Sequence, residues 1–166
     1  MKKLTTMMLL ALLPFAGRAQ SKVVANFQQK YANNRHVTQV SINGPVFGFL
    51  ASLAKYDDSP DARAFANVAA GIKSMQVLQV PYYEAGLSRD EVTSLRHHLT
   101  KDGYEDLVTV RDGRERVNIM AQGNEDELRN MLILAEEKDH FTLLSIKGRL
   151  SMQDLSYLAE NHRNFH

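Results

Sequence analysis

The sequence predicts an α+β domain built on a mixed or antiparallel sheet, with helices packed mainly on one face. Three observations carry that reading. Apolar spacings of three and four residues alternate with β-branched runs along the chain. Asp112-Gly113 stands between two alternating segments, the pattern of a tight hairpin. Phe141 to Ile146 is apolar on both faces, which places it in the middle of a sheet.

Val24, Phe27 and Tyr31 follow the i, i+3, i+7 spacing of an amphipathic helix over 22–33, stopped at Asn33-Asn34. His36 to Ile42 alternates and reads as a first strand, with Asn43-Gly44-Pro45 as a turn. Residues 46–56 are helical, with Phe47, Leu50, Ala51 and Ala54 on one stripe and Phe49 and Leu53 beside it. Asp57-Asp58-Ser59-Pro60 interrupts the pattern and caps a second short helix that Gly71 ends. Ile72 to Val80 is a second strand, closed by Pro81.

Ser88 opens the clearest helix. Ser88-Arg89-Asp90-Glu91 fits the capping box, Val92, Leu95 and Leu99 form the buried stripe, and Gly103 stands where a C-terminal glycine belongs. Tyr104–Arg111 and Arg116–Ala121 are the two arms of the hairpin. Asn124-Glu125-Asp126-Glu127 predicts a short helix with acids at its positive end. Leu132–Glu136 and His140–Lys147 read as a second hairpin that ends at Gly148, and Ser151 caps a last helix. Taken from the second strand, the order is strand, helix, strand, strand, helix, strand, a ferredoxin-like βαββαβ arrangement.

Residues 1–19 carry the pattern of a signal peptide. Lys2 and Lys3 supply charge, Leu4 to Phe15 a short apolar run, and Gly17-Arg18-Ala19 the small residues of a cleavage site. The run is shorter than the roughly 20 apolar residues of a membrane span, so stable insertion after cleavage is not expected. The chain has no cysteine, which excludes disulfides and the acylated cysteine of a lipoprotein. Residues 20–166 then form a single domain of ordinary size, free in the periplasm or secreted. Of 20 basic and 19 acidic residues, Lys2, Lys3 and Arg18 lie in the leader, which leaves 17 against 19 and a net charge of −2. An exported, mildly acidic domain is not expected to bind nucleic acid.

No arrangement in the sequence predicts a catalytic centre. There is no Gly-x-Ser-x-Gly elbow, and the nine glycines are scattered singly, without a phosphate-cradling loop. His97 and His98 are adjacent on a helix and point about 100° apart, so they do not share a metal. His162 and His166 have i, i+4 spacing but no acid to complete a site. Asp57, Asp58 and Asp61 lack the glycine and distant glutamate of an EF-hand loop, and helix capping accounts for them. No metal or cofactor is expected. Arg111, Arg114 and Arg116 flank a hairpin tip, either as a small anion patch or as a charged edge that resists aggregation. Tyr82 and Tyr83 follow a strand and precede Gly86, and two aromatics on a loop suit a protein contact.

Several segments together carry a family resemblance. They are Phe27-x-x-Lys30-Tyr31-Ala32, Val37-Thr38-x-Val40-x-Ile42, Ile72 to Leu78, Gly103-Tyr104-Glu105-x-Leu107-x-x-Val110, Val117 to Met120, and Phe141 to Ile146 with Gly148 and Asp154-Leu155. The chain resembles the exported domain of unknown function (DUF) 4252 family, common in Bacteroidetes. The resemblance covers nearly all of residues 20–166 and implies an exported α+β domain. It implies no activity and no catalytic residues. Many members resemble lipoproteins, and this chain departs from them in lacking the cysteine.

The expectation is an exported, non-catalytic interaction module that meets an envelope or secreted protein through Tyr82 and Tyr83 or a free sheet edge. The alternatives are a small exported hydrolase with an unidentified site and a self-associating envelope protein, a homo-oligomer.

Overall fold

The computed structural model describes residues 21–161. The elements are α1 (Lys22–Tyr31), β1 (Thr38–Asn43), α2 (Gly44–Ala54), α3 (Pro60–Gly71), β2 (Ile72–Pro81), α4 (Tyr82–Ala85), α5 (Arg89–Lys101), β3 (Glu105–Asp112), β4 (Glu115–Gly123), β5 (Glu127–Glu136), β6 (His140–Ser151) and α6 (Met152–Asn161). The fold is α+β. One six-stranded sheet has the order β1-β2-β6-β5-β4-β3, and every neighbouring pair is antiparallel. As the apolar run predicts, β6 is an inner strand, paired to β2 and β5.

The strand is apolar on both sides because both sides are covered. Phe141 and Leu143 join Leu78, Val80, Leu132 and Leu134 against Val24, Phe27 and Tyr31 of α1 and Val92, Leu95 and Leu99 of α5. Phe27 meets Phe141 edge-on, with ring centroids 5.7 Å apart. On the opposite face Leu144 and Ile146 pack with Met75 and Met131 against Val68 of α3 and Met152 and Leu155 of α6. Helices therefore lie on both faces, and the expected one-sided cover is corrected: a strand that alternates apolar with apolar has two faces to bury.

The βαββαβ order is corrected too. The helix expected at Asn124 is a turn. Its side chain accepts from the backbone N–H groups of Asp126 and Glu127, at 3.1 and 2.9 Å, and its own N–H bonds to the Glu127 carbonyl. Those bonds satisfy donors that a first helical turn would leave open. The chain enters β5 directly at Glu127, so β3 to β6 form an uninterrupted antiparallel meander.

Gly148 does not end β6, which runs on to Ser151. A side-chain carbon there would fall 2.1 Å from the Gly71 carbonyl oxygen, and one at Gly71 would fall 2.0 Å from the Arg149 carbonyl oxygen. The two glycines let the end of α3 and β6 approach backbone to backbone. The hairpin forms one residue later than Asp112-Gly113 suggests. Asp112 pairs with Glu115, so the loop is Gly113-Arg114, with Gly113 at a φ of 55°. Arg114 therefore stands at its tip.

Ser88 caps α5 as expected, accepting from the Glu91 N–H at 3.1 Å. The Glu91 carboxylate does not reach back to complete the box. It accepts instead from Lys30 Nζ at 2.6 Å and the Tyr31 hydroxyl at 3.0 Å, tying α5 to α1.

Candidate functional site

The Tyr82-Tyr83 pair stands on α4, a single helical turn entered from β2 and closed by Gly86 at a φ of 67°. The two rings part company there. Tyr83 is 95% exposed. Tyr82 is half-buried against the core shared by α1 and α5, and its hydroxyl is buried without a hydrogen-bond partner among the described residues. The Arg89 guanidinium lies over its ring, 4.7 Å from the centroid. Burial raises the Tyr82 pKa, Glu136 raises it further, and Arg89 pulls it back. One tyrosine anchors the turn while the other is presented to solvent.

Arg89 also opens a cleft of about 530 Å³ between the first half of α5 and the β3–β4 hairpin. Its walls bring Arg89, Thr93 and Arg96 of α5 to Arg111, Arg114 and Arg116 of the hairpin, with Glu115 and Glu136. The register explains the convergence. Arg111, Arg116, Glu136 and Phe141 are directly opposite one another on β3, β4, β5 and β6, so they share the face that α5 covers. On α5, Arg89, Thr93 and Arg96 stand at i, i+4 and i+7, one stripe of the helix.

Glu136 organises the floor. Arg96 Nη2 lies 3.2 Å from its carboxylate and Arg89 Nη1 3.9 Å. Its side chain is only 9% exposed, and burial pushes its pKa up, against the pull of Arg89 and Arg111. Arg89 also donates to the Glu137 and Lys138 carbonyls, at 3.1 and 3.3 Å, and Arg96 to the Thr93 hydroxyl at 3.3 Å. The hairpin arginines were legible as an anion patch; Arg89, Arg96 and Glu136 were not, since only the fold brings them there.

The remaining candidates are dispersed. Ser94 Oγ and His98 Nδ1 stand 3.4 Å apart on one face of α5, in a shallow groove with Lys30 and Glu91. Both sit within the body of the helix, where the backbone N–H groups are committed to the helical ladder and no oxyanion hole is offered. Among the described residues no three His, Asp or Glu side chains are grouped to hold a metal. His162 and His166 lie outside the described residues. Asp57 accepts from the Ser59 N–H and Ser59 from the Ala62 N–H, the capping role expected of that loop.

Exposed apolar surface is concentrated on the other side of the sheet. Val40, Val77, Leu144, Ile133, Ile119 and Val108 are opposite one another in one row across all six strands. Its two ends, Val40 and Val108, are about half exposed. Val46, Phe49 and Leu53 of α2 are exposed as well. The edge strand β3 is exposed at every residue, with Leu107, Val108 and Val110 among them.

Comparison with known families agrees with the pattern of strand cores. The model of the family described as "Domain of unknown function (DUF4252)" matches residues 31–158, from the end of α1 into α6. The chain belongs to that family. No match was found among curated proteins or solved structures.

Proposed function

We propose that the chain is an exported, non-catalytic interaction module that engages an envelope or secreted protein through the α4 turn. The observation that carries this reading is the contrast within one dipeptide. Tyr83 is 95% exposed, while Tyr82 beside it is packed under Arg89 and fixes the turn. A rigidly held, solvent-facing tyrosine offers large contact area at small entropic cost, the usual character of an interface anchor. Export rests on the leader pattern of residues 1–19, and no helix among the described residues is long and apolar enough to cross a membrane. Affinity capture from envelope extract tests the contact: Tyr83→Ala is expected to lose a protein that the unsubstituted chain retains, and identical captures reject the site.

A second reading, self-association, is favoured by β3. This edge strand is eight residues long, exposed throughout and carries three half-exposed apolar side chains. Such an edge is a template for pairing with another strand. Light scattering across a concentration series decides it, with a doubled mass expected and a constant monomer mass against it.

A further inference from the structure

The cleft between α5 and the hairpin tip is not lined by Tyr83, and its chemistry is of a different kind. Five arginines face two glutamates there, a local net charge of +3 on a domain whose net charge is −2 once the leader is gone. We propose that this cleft is a binding site for a small polyanion carrying two or more phosphoryl or carboxylate groups.

Four observations carry it. The cleft, at about 530 Å³, has the size of a small-molecule site rather than of a single-ion nest. All its cations are arginines, whose planar forks match carboxylate and phosphate oxygens two at a time. Arg89 and Arg96 are held in place: Glu136, the Glu137 and Lys138 carbonyls, the Tyr82 ring and Thr93 fix them, so little ordering is left for a ligand to impose.

The fourth observation is electrostatic. Arg111 and Arg116 are directly opposite each other across β3 and β4, a like-charge pair that weakens a hairpin unless an anion lies against it. Neither they nor Arg114 forms a salt bridge among the described residues, and Glu136 is already engaged by Arg89 and Arg96. Arg96 Nε is also buried without a hydrogen-bond partner among the described residues. The site is thus left with more fixed donors than acceptors, which an oxyanionic ligand corrects.

Isothermal titration calorimetry of the purified protein with pyrophosphate, citrate and acetate tests the proposal. Saturable binding of pyrophosphate or citrate is expected with a Kd below about 1 mM, the stronger of the two showing which oxyanion is preferred, and acetate is expected not to bind. Replacing the two exposed hairpin arginines, Arg111→Ala with Arg114→Ala, is expected to weaken binding ~tenfold or more. The single variant Arg114→Glu, at the loop tip and away from the core, is expected to weaken it in a chain whose fold is untouched. Arg63→Glu, an exposed arginine on α3, makes the same charge change outside the cleft and is expected to leave binding as it was. The proposal is overturned if neither polyanion binds, if acetate binds as well as they do, or if Arg63→Glu weakens binding as much as Arg114→Glu.

Discussion

The Arg89 guanidinium covers the Tyr82 ring at 4.7 Å, so one side chain joins the aromatic turn to the arginine cleft. The same guanidinium donates to the Glu137 and Lys138 carbonyls and stands 3.9 Å from Glu136. Arg89→Ala removes a cation–π contact and two hydrogen bonds, and is expected to cost about 1–2 kcal/mol of stability by denaturant titration. The Tyr82 pKa is expected to rise further in that variant, because Arg89 opposes the effects of burial and Glu136. Unchanged stability would show that the stacked geometry is not held in solution.

Glu136 predicts a pH dependence. Burial holds its folded pKa above the ordinary carboxylate range. The folded state thus keeps a proton that the unfolded chain has lost, and stability falls as pH rises from the unfolded value through the folded one. A series of denaturant titrations from about pH 4 to pH 8 is expected to show that decline in the unsubstituted chain and a flatter profile in Glu136→Gln. Parallel profiles would contradict the assignment.

Tyr104 gives the alkaline counterpart. It is 3% exposed, and burial pushes its hydroxyl pKa up to about 12. The unfolded chain ionises first, near the ordinary tyrosine value, so stability is expected to drop as pH climbs from about 10 to 12, by about 2–3 kcal/mol in all. Absorbance of tyrosinate follows the ionisation, and Tyr104→Phe is expected to remove that part of the decline.

Gly71 and Gly148 predict a packing effect. A carbon at Gly148 falls 2.1 Å from the Gly71 carbonyl oxygen, so the backbones must separate to admit one. Gly148→Ala is expected to destabilise by about 2 kcal/mol or more. Gly86, where an added carbon meets nothing within 4 Å, supplies the contrast: Gly86→Asn is expected to cost less, since Asn tolerates its φ of 67°.

Which features were legible follows from how local their causes are. The strand cores, the Ser88 cap, the Gly103 stop and the inner position of β6 rest on spacing within a few residues, and the structure has each of them. The turn at Asn124 is not legible because acids after an Asn suit a helix start equally well; only the bonds from Asp126 and Glu127 decide between them. Gly148 reads as a stop in the sequence because its role, admitting Gly71, depends on a residue 77 positions away. The cleft was half legible. Arg111, Arg114 and Arg116 are neighbours in sequence, whereas Arg96 and Glu136 meet only once α5 lies across the sheet.

The contact at Tyr83 is tested most directly by placing a photoreactive phenylalanine analogue at that position and irradiating the protein in envelope extract. A covalent adduct to a different protein is expected from position 83 and not from exposed Lys55, in the connection between α2 and α3. Adducts of equal yield from both positions, or none from position 83, would contradict an interaction module that works through the α4 turn.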